Sequence, residues 1–336
     1  GRNIPMSPQF KKGCLISILV FIVVLILIAT IIIWQISKGY GLFSAPYTPI
    51  PDKFSDRATC QIILRIPPAS PILERVLPWE QLKKNTPIPL PQTTIPMALP
   101  YELGFWATTE FARNQVSFTL AINEKRLGPI AYEILQSSQP WKNIQQIEWD
   151  KNGLQFPQRG YLSLTGSIKI PDGVEEHVLK DWKLENKPIQ KLDSQSKHLC
   201  EVQMDLANGD FLVWTACIMN AQGINWEEEL KNNKFAGMIY EIAKKLRKLN
   251  IIMDTTPTPD EMDVKVSLQA EPEAQGQLEF FLGGMGFPML QDYLKNQFGM
   301  TLEGKLSWDS NQNALTGNLK LKNYENFLRT QLAGFF

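Results

Sequence analysis

Histidine occurs only twice in these 336 residues, as His177 and His198, so no site built on three histidines can form within one chain. Neither lies in an H-E-x-x-H pattern, and G-x-S-x-G, C-x-x-C and phosphate-loop signatures are also missing. The sequence accordingly predicts no catalytic residue, no metal ligand and no cofactor, and both histidines read as exposed loop residues. Net charge is absent as well. Thirty-four basic residues balance 34 acidic ones, so no broad field gathers a polyanion and nucleic acid is not an expected partner.

A local absence says more. From Leu15 to Ile36 the chain runs 22 residues without a charged side chain. As a helix at about 1.5 Å per residue it reaches roughly 33 Å, enough to cross the roughly 30 Å hydrocarbon core of a bilayer. Signal peptides have shorter apolar cores and small residues at a cleavage site, whereas this one ends in Ile33-Trp34-Gln35-Ile36. The run reads as an uncleaved signal anchor. Cys14 precedes it, which excludes a lipoprotein, and Trp34, Tyr40 and Phe43 suit the outer interface. Arg2, Lys11 and Lys12 stand before the span and only Lys38 closely after it, so the tail 1–14 is expected in the cytoplasm. The bulk of the chain is then expected to be periplasmic or extracellular. Met6 is a candidate natural start.

Residues 37–100 read as a Pro-rich extended spacer, because 12 of the 23 prolines fall between 46 and 100. Thr59 to Ile66, rich in β-branched residues, is the exception and could add one strand. Residues 101–336 read as an extracytoplasmic α+β domain with antiparallel sheet, and 17 Phe, nine Trp and eight Tyr argue for a packed core.

Within that domain a β-α-β-β unit is expected over 115–170. Gln115 to Ile122 forms a strand, Leu127, Ile130, Ala131, Ile134 and Leu135 make a helical stripe, and Ile147, Trp149 and Tyr161 to Ile170 return as strands. A second copy is read over 274–321. Trp149-Asp150-x-Asn152 matches Trp308-Asp309-x-Asn311, and Leu164-Thr165-Gly166 matches Leu315-Thr316-Gly317. Asp150 and Asp309 are turn residues by type, favoured for their backbone-bonding side chains.

Between the copies, Asn208-Gly209 reads as the type I′ turn of a hairpin over 199–218. That register sets Cys200 opposite Cys217 at a non-hydrogen-bonded position, within disulfide range, while Cys14 and Cys60 have no partner. A long helix is expected over 225–250, opened by Asn225 and Glu228 and closed by Lys244, Lys245, Arg247 and Lys248. Gly283-Gly284-Met285-Gly286 falls between a strand and a helix, but no Lys-Ser/Thr follows, and no phosphate site is predicted. At the end of the chain, Phe327, Leu328 and Leu332 fall on one side of a short helix, and the closing Phe335-Phe336 are expected to be buried on the domain or a partner.

Three functions fit this organisation. The first is a membrane-anchored, non-enzymatic, structural or scaffolding subunit with protein partners in a membrane assembly. The second is a binding module for an apolar ligand such as lipid, and the third a hydrolase with an unfamiliar site.

Overall fold

The computed structural model describes residues 24–30, 54, 56–65, 71–85, 102–123, 128–155, 161–185 and 196–334. Of the predicted span only 24–30 are among them, helical and exposed, with Thr30 Oγ1 donating to the Ile26 carbonyl at 2.7 Å. The rest of Leu15 to Ile36, and Phe335-Phe336, lie outside the described residues. Among the described residues no helix is long and apolar enough to cross a membrane.

The fold is α+β, a single antiparallel sheet of 11 strands with helices packed on it. Its strands are β1 (Cys60–Arg65), β2 (Glu102–Glu110), β3 (Gln115–Asn123), β4 (Glu148–Trp149), β5 (Tyr161–Lys169), β6 (Cys200–Asp205), β7 (Leu246–Thr255), β8 (Glu261–Ala270), β9 (Thr301–Glu303), β10 (Ser307–Asp309) and β11 (Ala314–Lys322). Helices α1 (Pro71–Val76) and α2 (Trp79–Asn85) follow β1, α3 (Gly128–Ser138) follows β3, and α4 (Val174–Asp181) follows β5. Helices α5 (Asp210–Ala221), α6 (Trp226–Asn232) and α7 (Lys234–Ala243) follow β6. A continuous helical run follows β8: α8 (Gln275–Leu278), a π-helical stretch (Glu279–Gly286) and α9 (Phe287–Phe298); α10 (Glu325–Ala333) closes the fold.

Two halves of this chain share one plan. The strand order is β10-β11-β8-β7-β6-β1-β2-β3-β5-β4, with β9 also pairing with β11; leaving β9 aside, each half reads first, second, third, last, next-to-last, and the halves meet where β1 pairs with β6. In that pair Ile62 faces Val202, and on its other side Ile62 faces Phe105 of β2. Helices α1 and α2 lead from β1 to β2, and α5 to α7 lead from β6 to β7. The similar stretches Leu164-Thr165-Gly166 and Leu315-Thr316-Gly317 fall on β5 and β11. Both glycines are needed for packing. A Cβ at Gly166 would meet Phe118 at 2.8 Å and Trp149 at 2.9 Å, and one at Gly317 would meet Leu306 at 2.7 Å.

The helices cross the middle. Helix α5 belongs to the second half by sequence, yet Leu212, Val213, Ala216 and Cys217 pack into one core with Cys60, Ala107, Val116 and Phe118 of the first-half strands and Val174 and Val178 of α4. Conversely, Ile72 and Val76 of α1 pack with Met262 of β8, Tyr324 and Phe327, Leu328 and Leu332 of α10. The Arg75 guanidinium pairs with Glu325 at 2.6 Å, and Arg329 Nε donates to the Arg75 carbonyl at 3.1 Å. Phe327, Leu328 and Leu332 thus share the face of α10 that packs on the domain, whereas the expected burial of Phe335-Phe336 falls outside the described residues.

Several sequence expectations are corrected here. The strand expected over Thr59 to Ile66 does form, as β1, and is central to the sheet, but α1 and α2 also fold within the expected spacer 37–100. The hairpin over 199–218 does not form. Gly209, at φ +80°, precedes a helix in which Asp210, Leu212, Val213, Ala216 and Cys217 are buried, a helical stripe that the alternating reading concealed. The long helix over 225–250 is two helices and a strand. Asn225 does cap the first, accepting from the Glu227 and Glu228 amides, but Asn233 is extended and caps a second by accepting from Phe235 and Ala236. The basic run then enters β7, where Leu249, Ile251 and Met253 alternate toward one face.

Candidate apolar binding site

The strand registers sort the side chains into two unlike faces. One row across eight strands reads Gly317, Val266, Ile251, Val202, Ile62, Phe105, Leu120, Leu164. The next reads Leu319, Val264, Met253, Cys200, Leu64, Leu103, Ile122, Leu162, and the row through Cys60 is equally free of polar residues. On the opposite face the row through Gln61 reads Thr316, Ser267, Asn250, Gln203, Gln61, Trp106, Thr119, Thr165. Helices cover the apolar face unevenly. The row through Cys60 is packed beneath them, whereas Ile62 and Leu120 remain 37% and 39% exposed in mid-strand.

Over the first half of that face, α5, α6 and α7 enclose a cavity of about 200 Å³. Leu212, Ala216 and Met219 of α5, Trp226 and Leu230 of α6, and Ala236, Ile239 and Ala243 of α7 line it, the three alanines leaving the room. Three of its polar side chains are already hydrogen-bonded. Thr215 Oγ1 donates to the Phe211 carbonyl at 2.7 Å, the Tyr240 hydroxyl donates to Asp181, and Glu229 accepts from Asn233 Nδ2 at 2.8 Å. Walls of this kind offer a polar ligand few partners and suit an apolar guest. Phe235, Met238 and Ile239 lie exposed nearby on α7.

A second, polar cavity of about 340 Å³ opens beside Thr59, Thr109, Glu185, Asn208 and Asp210. Asp210, at the first turn of α5, is 2% exposed, and Thr109 Oγ1 donates to its Oδ1 at 2.6 Å. Burial pushes its carboxyl up to about 6, against the Thr109 hydroxyl and helped by the charge of Asp205. The bond joins the crossing helix to β2, which makes a structural key a sufficient explanation. Sequence reasoning missed this residue by reading it as a hairpin position.

The residues singled out from sequence are scattered. Cys200 lies on β6, while Cys217 Sγ is 3.9 Å from the Lys169 carbonyl at the end of β5. β5 is four strands from β6, or about 19 Å at the usual inter-strand spacing, far outside disulfide reach. The predicted Cys200–Cys217 pairing is therefore corrected, and Cys60, Cys200 and Cys217 are free thiols. Burial raises all three, Cys60 to about 12 and Cys217 to about 11, so none supplies a thiolate at neutral pH. Peptide mapping under non-reducing conditions should find no Cys200–Cys217 bridge; recovering that bridge would overturn the helix assigned to 210–221.

Of the two histidines expected in loops, only His198 lies in one. His177 lies half-buried on α4, its Nδ1 2.9 Å from the Gly173 carbonyl and its ring edge-on to Trp226 at 5.0 Å. His198 is half-buried beside β6, with Nδ1 2.8 Å from Asp254. Gly283, Gly284 and Gly286 lie within the π-helical stretch and form no phosphate loop. Asp150 and Asp309 do hold their turns alike, accepting from the Asn152 amide at 3.0 Å and the Asn311 amide at 2.9 Å. Among the described residues no group of three or more His, Cys, Asp or Glu is placed to hold a metal ion.

No family model matches this chain. No curated protein matches it either. Among solved structures, crystal form I of TP0453 is similar at 10% identity with a TM-score of 0.34, covering 86% of this chain and 100% of that one. A likeness that loose carries no argument about fold or function.

Proposed function

We propose that this chain is a membrane-anchored, extracytoplasmic, non-enzymatic domain, built by duplication of one β-rich unit, that holds an apolar chain such as a lipid acyl tail between α5, α6 and α7. The observation that supports this reading is the cavity of about 200 Å³ whose Thr215, Glu229 and Tyr240 side chains are already engaged. Its volume lies below the usual range of roughly 300–1,000 Å³ for drug-sized ligands, which suits the end of one chain better than a whole lipid. The uncharged run from Leu15 to Ile36 supports the anchor, and the basic residues before it support the orientation.

Filling the cavity tests the proposal. Ala236 is half-buried at its edge, and Ala236→Phe places a ring where the guest would lie. The variant is expected to bind a fluorescent fatty acid at least about tenfold more weakly than wild type, a loss of roughly 1.4 kcal/mol, while melting at nearly the same temperature. Unchanged affinity with unchanged stability would remove the cavity from consideration. A structural subunit of a membrane assembly is the second reading, favoured by the exposed Phe235, Met238 and Ile239. In that case the cavity seats a partner's side chain, and gentle purification yields a stoichiometric protein in place of lipid.

A further inference from the structure

Five exposed large apolar side chains, among them the two most exposed of the sheet domain, Met289 and Phe280, lie on the helical run from α8 through the π-helical stretch to α9. Phe280, Met285, Met289, Leu290 and Tyr293 are each between 41% and 67% exposed, whereas Leu278 and Phe287 of the same run are buried against the sheet. Together the five leave on the order of 500 Å² of apolar surface in water, the size at which a patch on a monomer is commonly functional. From Phe280 to Leu290 the sequence is FFLGGMGFPML, without one hydroxyl, amide or charge.

We propose that this patch rests on the bilayer into which the chain is anchored, so that the domain lies against the membrane with α9 at the lipid surface. The inference rests on the anchor reading above. Seventeen residues, 37–53, separate the end of the apolar run from Phe54, where the described fold begins. Fully extended they span roughly 60 Å, so the domain never leaves the neighbourhood of the surface. Tethering of this kind raises the effective concentration of the surface to the millimolar range, and a patch too weak to recruit a free domain then suffices to hold a tethered one.

The chemistry of the run favours lipid over protein. Protein interfaces carry about one hydrogen bond per 100–200 Å² and are enriched in arginine, while Phe280 to Leu290 offers no side-chain donor and the patch no arginine, Tyr293 supplying its one hydroxyl. Lys295 is the one cation between Glu279 and Phe298, so contact with the bilayer is apolar and insensitive to salt.

The full chain in phosphatidylcholine vesicles, carrying a photoreactive benzophenone side chain in place of Met289, tests this. Illumination is expected to attach lipid to the peptide containing position 289 several-fold more than to a control with the same probe in place of Asn311, an exposed turn residue. The yield should be the same at 0.1 M and 1 M salt. Cross-linking to a second copy, or lipid labelling no greater than at the control, overturns the proposal. An alkaline carbonate wash of the same vesicles separates the two readings. A chain that stays with the lipid yet gives no adduct at 289 is anchored but not docked; a chain that washes away has no anchor, and the docking inference falls with it.

Discussion

A fragment beginning at residue 196 and running to the end of the chain should show no cooperative thermal transition, although it contains six strands of the sheet. The reason is the crossing of the helices. Leu212, Val213, Ala216 and Cys217 of α5 are buried against β1, β2, β3 and α4, all of which the fragment lacks. Returning Leu212 and Val213 alone to water costs roughly 1.5–3 kcal/mol each, and the loss of α1 from beneath α10 adds Tyr324, Phe327 and Leu328. A domain's whole stability is about 5–15 kcal/mol, so the fragment has too little left to fold. The complementary fragment 1–195 should fail for the same reason, and mixing the two during refolding should restore a single transition. A sharp melting curve from either piece alone would contradict the intertwined arrangement.

The second large effect concerns Asp210. Its carboxyl, ordinarily near 3.8, stands at about 6 in the folded chain, so the folded state binds the proton more tightly than the unfolded state. The sign follows: the group costs nothing near pH 3.8, costs progressively more as pH rises to about 6, and then reaches a plateau of about 3 kcal/mol. Asp210→Asn keeps a carbonyl to accept from Thr109 and removes the charge. Relative to wild type it should therefore be neutral or mildly destabilising near pH 4, and stabilising by about 1–3 kcal/mol at pH 8. Chemical denaturation of both proteins at the two pH values checks this. A difference that does not change with pH would mean that Asp210 titrates normally.

Much of the sheet could be read from sequence because its outer strands alternate cleanly and its turns are punctuated. Asp150 and Asp309 bond their turns in the same way, and β3, β5 and β11 fall where the pattern put them. The middle could not be read locally. Cys60 to Arg65 is a strand with both neighbours supplied from far along the chain, and nothing nearby reports its central position. Asn208-Gly209 failed as a hairpin signal because a glycine at positive φ also starts a helix, and the choice was made by distant apolar strands that α5 covers. The cavity between α5, α6 and α7 was illegible for a related reason. It depends on three alanines from two helices, and small residues become a feature only once their neighbours are known.

Native mass spectrometry of the full chain, released intact from lipid nanodiscs, is the most direct test of apolar ligand binding. The expected spectrum shows one acyl-bearing molecule per chain, retained by wild type and lost from Ala236→Phe. A ligand-free mass for wild type, or one lipid retained equally by both proteins, would contradict a role for the cavity between α5, α6 and α7.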